Sequence, residues 1–152
     1  MTSSALFAFL HHAAAFLLVA VVTVELVLMR GEITVATART LLRMDSVYGV
    51  CAVVLLIVGF IRVFYTEKGA AYYFHSGSFL AKLALFVVVG LLSILPTVQF
   101  LGWRKAVKAG QAPAVDDATR RRVRMIIHTE LTLLFLIMLC AALMARGIGF
   151  IG

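Results

Sequence analysis

Four apolar stretches, each long enough to cross a lipid hydrocarbon core, govern what this chain can become. A spanning helix takes about 20 residues, because it rises about 1.5 Å per residue through a core about 30 Å thick. The stretches run from about Ser4 to Met29, Met44 to Tyr65, Ser78 to Leu101 and Met125 to Arg146, which leaves little beyond connections in 152 residues. Inside lipid every backbone N–H and C=O must be paired within the protein, and a helix does this by itself. The expected fold is therefore all-α, an integral membrane four-helix bundle forming one transmembrane domain over residues 1–152.

Composition supports this reading. The chain is 63% apolar and 14% charged, against roughly 45–50% apolar in soluble domains, so no separate soluble domain is expected. The opening "MTSSALFAFLHH" lacks a basic n-region and a small-residue cleavage site, and reads as the start of a retained first helix. A formal charge of +7 would suggest nucleic acid in a soluble protein. Here its placement explains it. The connections after spans one and three carry Arg30, Arg39, Arg43, Arg104, Lys105, Lys108, Arg120, Arg121, Arg122 and Arg124, whereas the connection between spans two and three contributes only Lys68. The positive-inside rule then puts both termini on the periplasmic side of a bacterial inner membrane, with the basic connections against anionic headgroups. Membrane lipids are the expected partners, and nucleic acid is not.

"DDATRRRVR" fits a helix start at that interface, with Asp116 or Asp117 as cap. Cys51 and Cys140 fall inside spans without CxxC or Cys/His spacing, and read as packing residues. No GxSxG, Walker loop, HExxH or GxGxxG occurs, and the terminal "GIGFIG" is a Gly-rich tail.

Ionisable groups inside spans cost a few kcal/mol each, and persist where they face a bundle interior, a cavity or a ligand. "FLHHAAAFLLVAVV" sets His11 and His12 in span one. At about 100° per residue, Ser4, His11, Leu18, Val22 and Glu25 share one face, with His12 at its edge. Span two repeats the pattern with Asp45, Tyr48, Ala52, Leu55, Gly59 and Arg62, and span three with Lys82, Val89, Ser93 and Pro96. Pro96 removes a backbone donor, and Ser93 is placed to help re-satisfy the carbonyl this frees. "RMIIHTELTLLF" brings His128, Glu130 and Thr132 into the start of span four.

By depth these residues form two polar layers. His11, Arg62, Lys82 and His75 belong to the outer half; Glu25, Asp45, His128 and Glu130 belong to the inner half. One imidazole among cations suits a divalent metal poorly, since such sites favour neutral or anionic ligands. It suits an anionic ligand with a metal centre, and haem fits that description, because His11 would supply an axial bond and Arg62 or Lys82 would pair with propionates. The inner carboxylates are suited to carrying protons. Plainer readings stand beside these, with His11 in an interhelical hydrogen bond, Lys82 snorkelling at a helix end and His128 reaching for headgroups.

The segments "FLHHAAAF", "ARTLLRMD", "FLAKLALFVVVGLL" and "RVRMIIHTELTLLF" together resemble an uncharacterised family of small bacterial inner-membrane proteins. More distantly, the chain resembles HemJ-type protoporphyrinogen oxidases and CopD-like copper-resistance membrane proteins. Leu10-His11 and Ala81-Lys82-Leu83 match the leucine-histidine pair and the alanine-lysine-leucine core of the HemJ type, and "HTELT" keeps an acid at Glu130 in place of Asn-Glu-x-Pro-Thr. The resemblance implies a tetrapyrrole pocket binding haem b or a porphyrin, with His11 as ligand, Lys82 at the cofactor, and Lys82 and Glu130 as catalytic residues of a membrane oxidoreductase; Arg62 joins the cofactor site on the outer-layer reading alone.

Three functions follow as expectations: a haem-containing redox protein, an ion or small-solute protein using Glu25, Asp45 and Glu130 as a polar path, and an assembly subunit whose polar residues fix helix pairing. A homo-oligomer joined through small residues such as Ala13, Ala14 and Gly59 is compatible with each.

Overall fold

The computed structural model describes residues 3–66, 75–146 and 148. Lys68, Tyr72, Tyr73 and most of the Gly-rich tail lie outside the described residues. Helix α1 covers Ser3–Leu28. It closes with the Gly31 N–H donating to the Leu28 carbonyl at 3.2 Å. Thr34 then opens α2, Val35–Ile61, by accepting from the Thr37 N–H at 3.2 Å. This helix begins well before the apolar span expected from Met44. Ala38 and Leu41, three residues apart and wholly buried, extend the face that carries Tyr48, so the segment expected as a connection is instead the helix's first turns. Arg39 and Arg43 point outward from it.

The last turn of α2 widens into a π-helical segment, Arg62–Thr66. Such segments are rare and concentrate at functional positions. Helix α3, Gly77–Gly102, starts at Ser76, whose buried hydroxyl accepts from the Phe79 N–H. Pro96 lies inside it, yet Ser93 donates to the Gly90 carbonyl at 2.8 Å rather than to the Leu92 carbonyl that the missing N–H leaves open. A short helix α4, Arg104–Lys108, ends at Gly110, whose φ of 71° lies in the left-handed region that glycine adopts without strain.

Helix α5, Asp117–Ala145, is capped by Asp116, which accepts from the Thr119 N–H at 3.0 Å. Hydrogen bonds from Thr119 hold the Asp116 carboxyl below the usual carboxylate range. Asp117 instead pairs with Arg120 at 3.1 Å, and Arg120 also reaches the Gly31 carbonyl at 3.4 Å, linking the start of α5 to the end of α1.

Four helices, Ser3–Leu28, Val35–Tyr65, Gly77–Lys108 and Asp117–Ala145, are long and apolar enough to cross a membrane. Packing is most extensive between α1 and α2 and between α3 and α5, giving two hairpins. Thinner contacts of α1 with α5 and of α2 with α3 join them into a bundle. The outer surface is apolar, with Phe9, Phe16, Val50, Leu91, Val98 and Phe135 all exposed. In water so much exposed apolar surface would drive association; lipid chains solvate it. Conversely, Glu25 and Glu130 are only 3% and 1% exposed. An apolar outside around a polar inside is the arrangement a bilayer selects.

Candidate functional site

The polar stripes read from the sequence do turn inward, and they meet where the two hairpins meet. At the basic end of the bundle Glu25 comes from α1, Asp45 and Tyr48 from α2, Ser93 and Thr97 from α3, and Glu130 from α5. Glu25, Asp45 and Glu130 lie within electrostatic range of one another. Tyr48 is buried beside them, within hydrogen-bond reach of Ser93.

The Thr97 hydroxyl donates to Asp45 Oδ1 at 2.6 Å, a bond between the two hairpins. Thr97 was not among the residues singled out from sequence. It stands four positions after Ser93, so the helical period alone places it on the same face. Thr97→Val removes the donor while keeping shape, and is expected to cost about 1–3 kcal/mol because a half-buried carboxylate oxygen loses its partner. The check is reversible unfolding in mixed micelles; Thr97→Ser should recover most of the loss.

Among the described residues, Glu25 Oε1 and Glu130 Oε1 are buried with no hydrogen-bond partner. Leaving a buried polar atom unpaired costs about 1–3 kcal/mol, and more for a charge. These two acids belong to different hairpins and come within electrostatic range of each other across the junction. Among the described residues no group of three or more His, Cys, Asp or Glu is arranged to hold a metal ion.

Toward the other end, His11, Gly59, Arg62 and Val63 from the first hairpin and Phe79, Lys82 and Met144 from the second line a cavity of about 60 Å³. His11, Arg62 and Lys82 are thus brought together from three helices. His11 packs over the backbone at Gly59, where an added Cβ would lie 3.4 Å from its Cε1, and its buried Nδ1 has no hydrogen-bond partner among the described residues. Lys82 Nζ sits 5.6 Å from the centre of the Phe79 ring. His12 turns outward, and its Nδ1 lies 2.6 Å from the Ala8 carbonyl of its own helix. Of the pair, His11 is the one that faces the interior.

A haem fits this cavity in donor type but not in size. About 60 Å³ holds about two waters, whereas sites for cofactors and drug-sized ligands take about 300–1,000 Å³. Nor are Lys82 and Glu130 neighbours. Met144 shares the Lys82 cavity, and Glu130 lies fourteen residues earlier on α5, about 21 Å along the axis. Likewise His11 and Glu25 are about 21 Å apart along α1. Between the layers stand Leu18, Leu55, Val89 and Leu134, all buried in one apolar cluster. The carboxylates therefore form a layer and not a continuous path. Ala14 and Gly59 are used within the bundle, while Ala13 faces outward.

Helices of lipid-crossing length, an apolar exterior and ionisable groups gathered inside define a multi-pass α-helical membrane protein. The chain belongs to the DUF2214 family of predicted membrane proteins, which it matches over residues 3–149. No curated protein and no solved structure matches it, so the likeness to HemJ-type oxidases and CopD-like proteins finds no support there.

Proposed function

We infer that this protein moves protons, alone or with a small solute, across a bacterial inner membrane, with both termini on the periplasmic side and the acid layer in the cytoplasmic half. The observation that carries the reading is the pair Glu25 and Glu130, almost wholly buried on opposite hairpins, each with an oxygen that has no hydrogen-bond partner among the described residues. An acid in that position is neutralised by a proton or a small cation, and intramembrane acids that exchange one are the usual parts of proton relays. The apolar cluster of Leu18, Leu55, Val89 and Leu134 then acts as the barrier. Its opening requires the hairpins to shift along the thinner junction between them, a motion of the hinge and shear kind.

Proteoliposomes enclosing a pH-sensitive dye test this directly. An imposed potential should acidify or alkalinise the lumen faster than in empty vesicles, and Glu25→Gln should cut that rate at least tenfold. Flux equal to that of empty vesicles, or unchanged in the variant, would sink the proposal. The haem reading has its own outcome in the same preparation, a Soret band that vanishes in His11→Ala; the small cavity leads us to expect none.

A further inference from the structure

A second feature lies outside both polar layers. Where the end of α1 meets the first turns of α5, a groove of about 500 Å³ is lined by Leu26, Arg30, Arg124, Met125, His128 and Thr129. Its walls follow from helical spacing. Leu26 and Arg30 stand four apart on α1 and its C-terminal extension, and Arg124 and His128 stand four apart on α5, so each pair projects from one face. The cations occupy the level of the helix ends. Below them Leu26 is buried, while Met125 is 57% exposed and presents an apolar edge to the surroundings.

Among the described residues neither guanidinium has a carboxylate within ion-pair distance; the pair at the start of α5 is Asp117 with Arg120. Two unpaired guanidiniums lining one concave site match a phosphate, which each can hold through paired N–H donors. The apolar step directly beneath adds a requirement that a free phosphate does not meet. It suits a ligand whose anionic head continues into hydrocarbon.

We propose that this groove binds the phosphate of an anionic glycerophospholipid, with Arg30 and Arg124 clamping the headgroup, His128 and Thr129 beside it, and an acyl chain running down over Leu26 and Met125. The site is distinct from the acid layer but adjoins it, because Leu26 follows Glu25 and Thr129 precedes Glu130. A lipid seated there would bridge the two hairpins at their thin α1–α5 contact.

Native mass spectrometry of the full chain, released from micelles containing equal phosphatidylglycerol and phosphatidylcholine, reads the site. Phosphatidylglycerol adducts should exceed phosphatidylcholine adducts at least fivefold, and Arg30→Ala/Arg124→Ala should erase that preference. Arg104→Ala/Lys105→Ala removes the same charge at the same end of the bundle and should leave it intact. Equal retention of the two lipids, or an equal loss in both double variants, would overturn the proposal in favour of diffuse electrostatics. Glycerol phosphate and inorganic phosphate form the remaining arm. Neither should displace the lipid at millimolar concentration, and displacement by either would make this a soluble-phosphate site and refute the lipid assignment. Arg30→Lys/Arg124→Lys guards against misfolding. It should fold as the wild type does and retain a reduced preference, because ammonium groups keep the charge and lose the planar fork; full wild-type preference would refute the clamp.

Discussion

Glu130→Leu should abolish proton flux in vesicles while leaving the protein at least as stable as the wild type. Glu130 is 1% exposed, and its Oε1 has no partner among the described residues. A buried polar atom left without a partner costs about 1–3 kcal/mol, and an apolar side chain of similar volume removes that cost together with the group. Ordinary core substitutions behave in the opposite way and destabilise by about 0.5–3 kcal/mol. The sign of the stability change therefore separates a functional acid from a structural one. Should the variant unfold more easily and lose assembly, Glu130 serves helix pairing and the assembly reading replaces the transport reading. Stability retained with flux lost is the signature of a position kept at a cost for what it does.

The second large effect concerns Phe100, which is wholly buried and packs its ring 5.2 Å from that of Trp103. In a soluble core Phe→Ala costs about 3–5 kcal/mol, summing a transfer term and a cavity term. Lipid tails are as apolar as the side chain they would replace, so the transfer term is largely lost and packing remains. A cavity of ~100 Å³ at about 24 cal/mol per Å³ gives about 2.4 kcal/mol for Phe100→Ala. Unfolding in mixed micelles should give a value between about 2 and 3 kcal/mol. A larger cost would mean that this end of α3, next to the connection through α4, is surrounded by water and not by lipid.

Helical period carried much of the interior, as α1 illustrates. Ser4, His11, Leu18, Val22 and Glu25, aligned by counting residues, are partly or fully buried in the bundle, and so are Asp45, Tyr48, Leu55 and Arg62 of α2. This succeeds because a bilayer admits few local structures, so residue number translates directly into angle and depth. Helix limits were less legible. The α2 helix starts at Val35 because Thr34 caps it and because Ala38 and Leu41 bury against the bundle, features that hydropathy does not weigh. A choice between Asp116 and Asp117 likewise needed the direction of one side chain.

Length and hydropathy determined by themselves that this chain makes four lipid-crossing helices, and period determined which polar residues face inward, since both depend only on local geometry and the chemistry of the surrounding lipid. Tertiary structure decided what depends on distance between helices. It held the His11, Arg62 and Lys82 cavity to about 60 Å³ and brought Thr97 onto Asp45. It also packed Leu18, Leu55, Val89 and Leu134, one from each long helix, into a single buried cluster between the two polar layers. No single helix encodes those contacts, because they arise from how two hairpins pack against each other and from the side-chain volumes trapped between them.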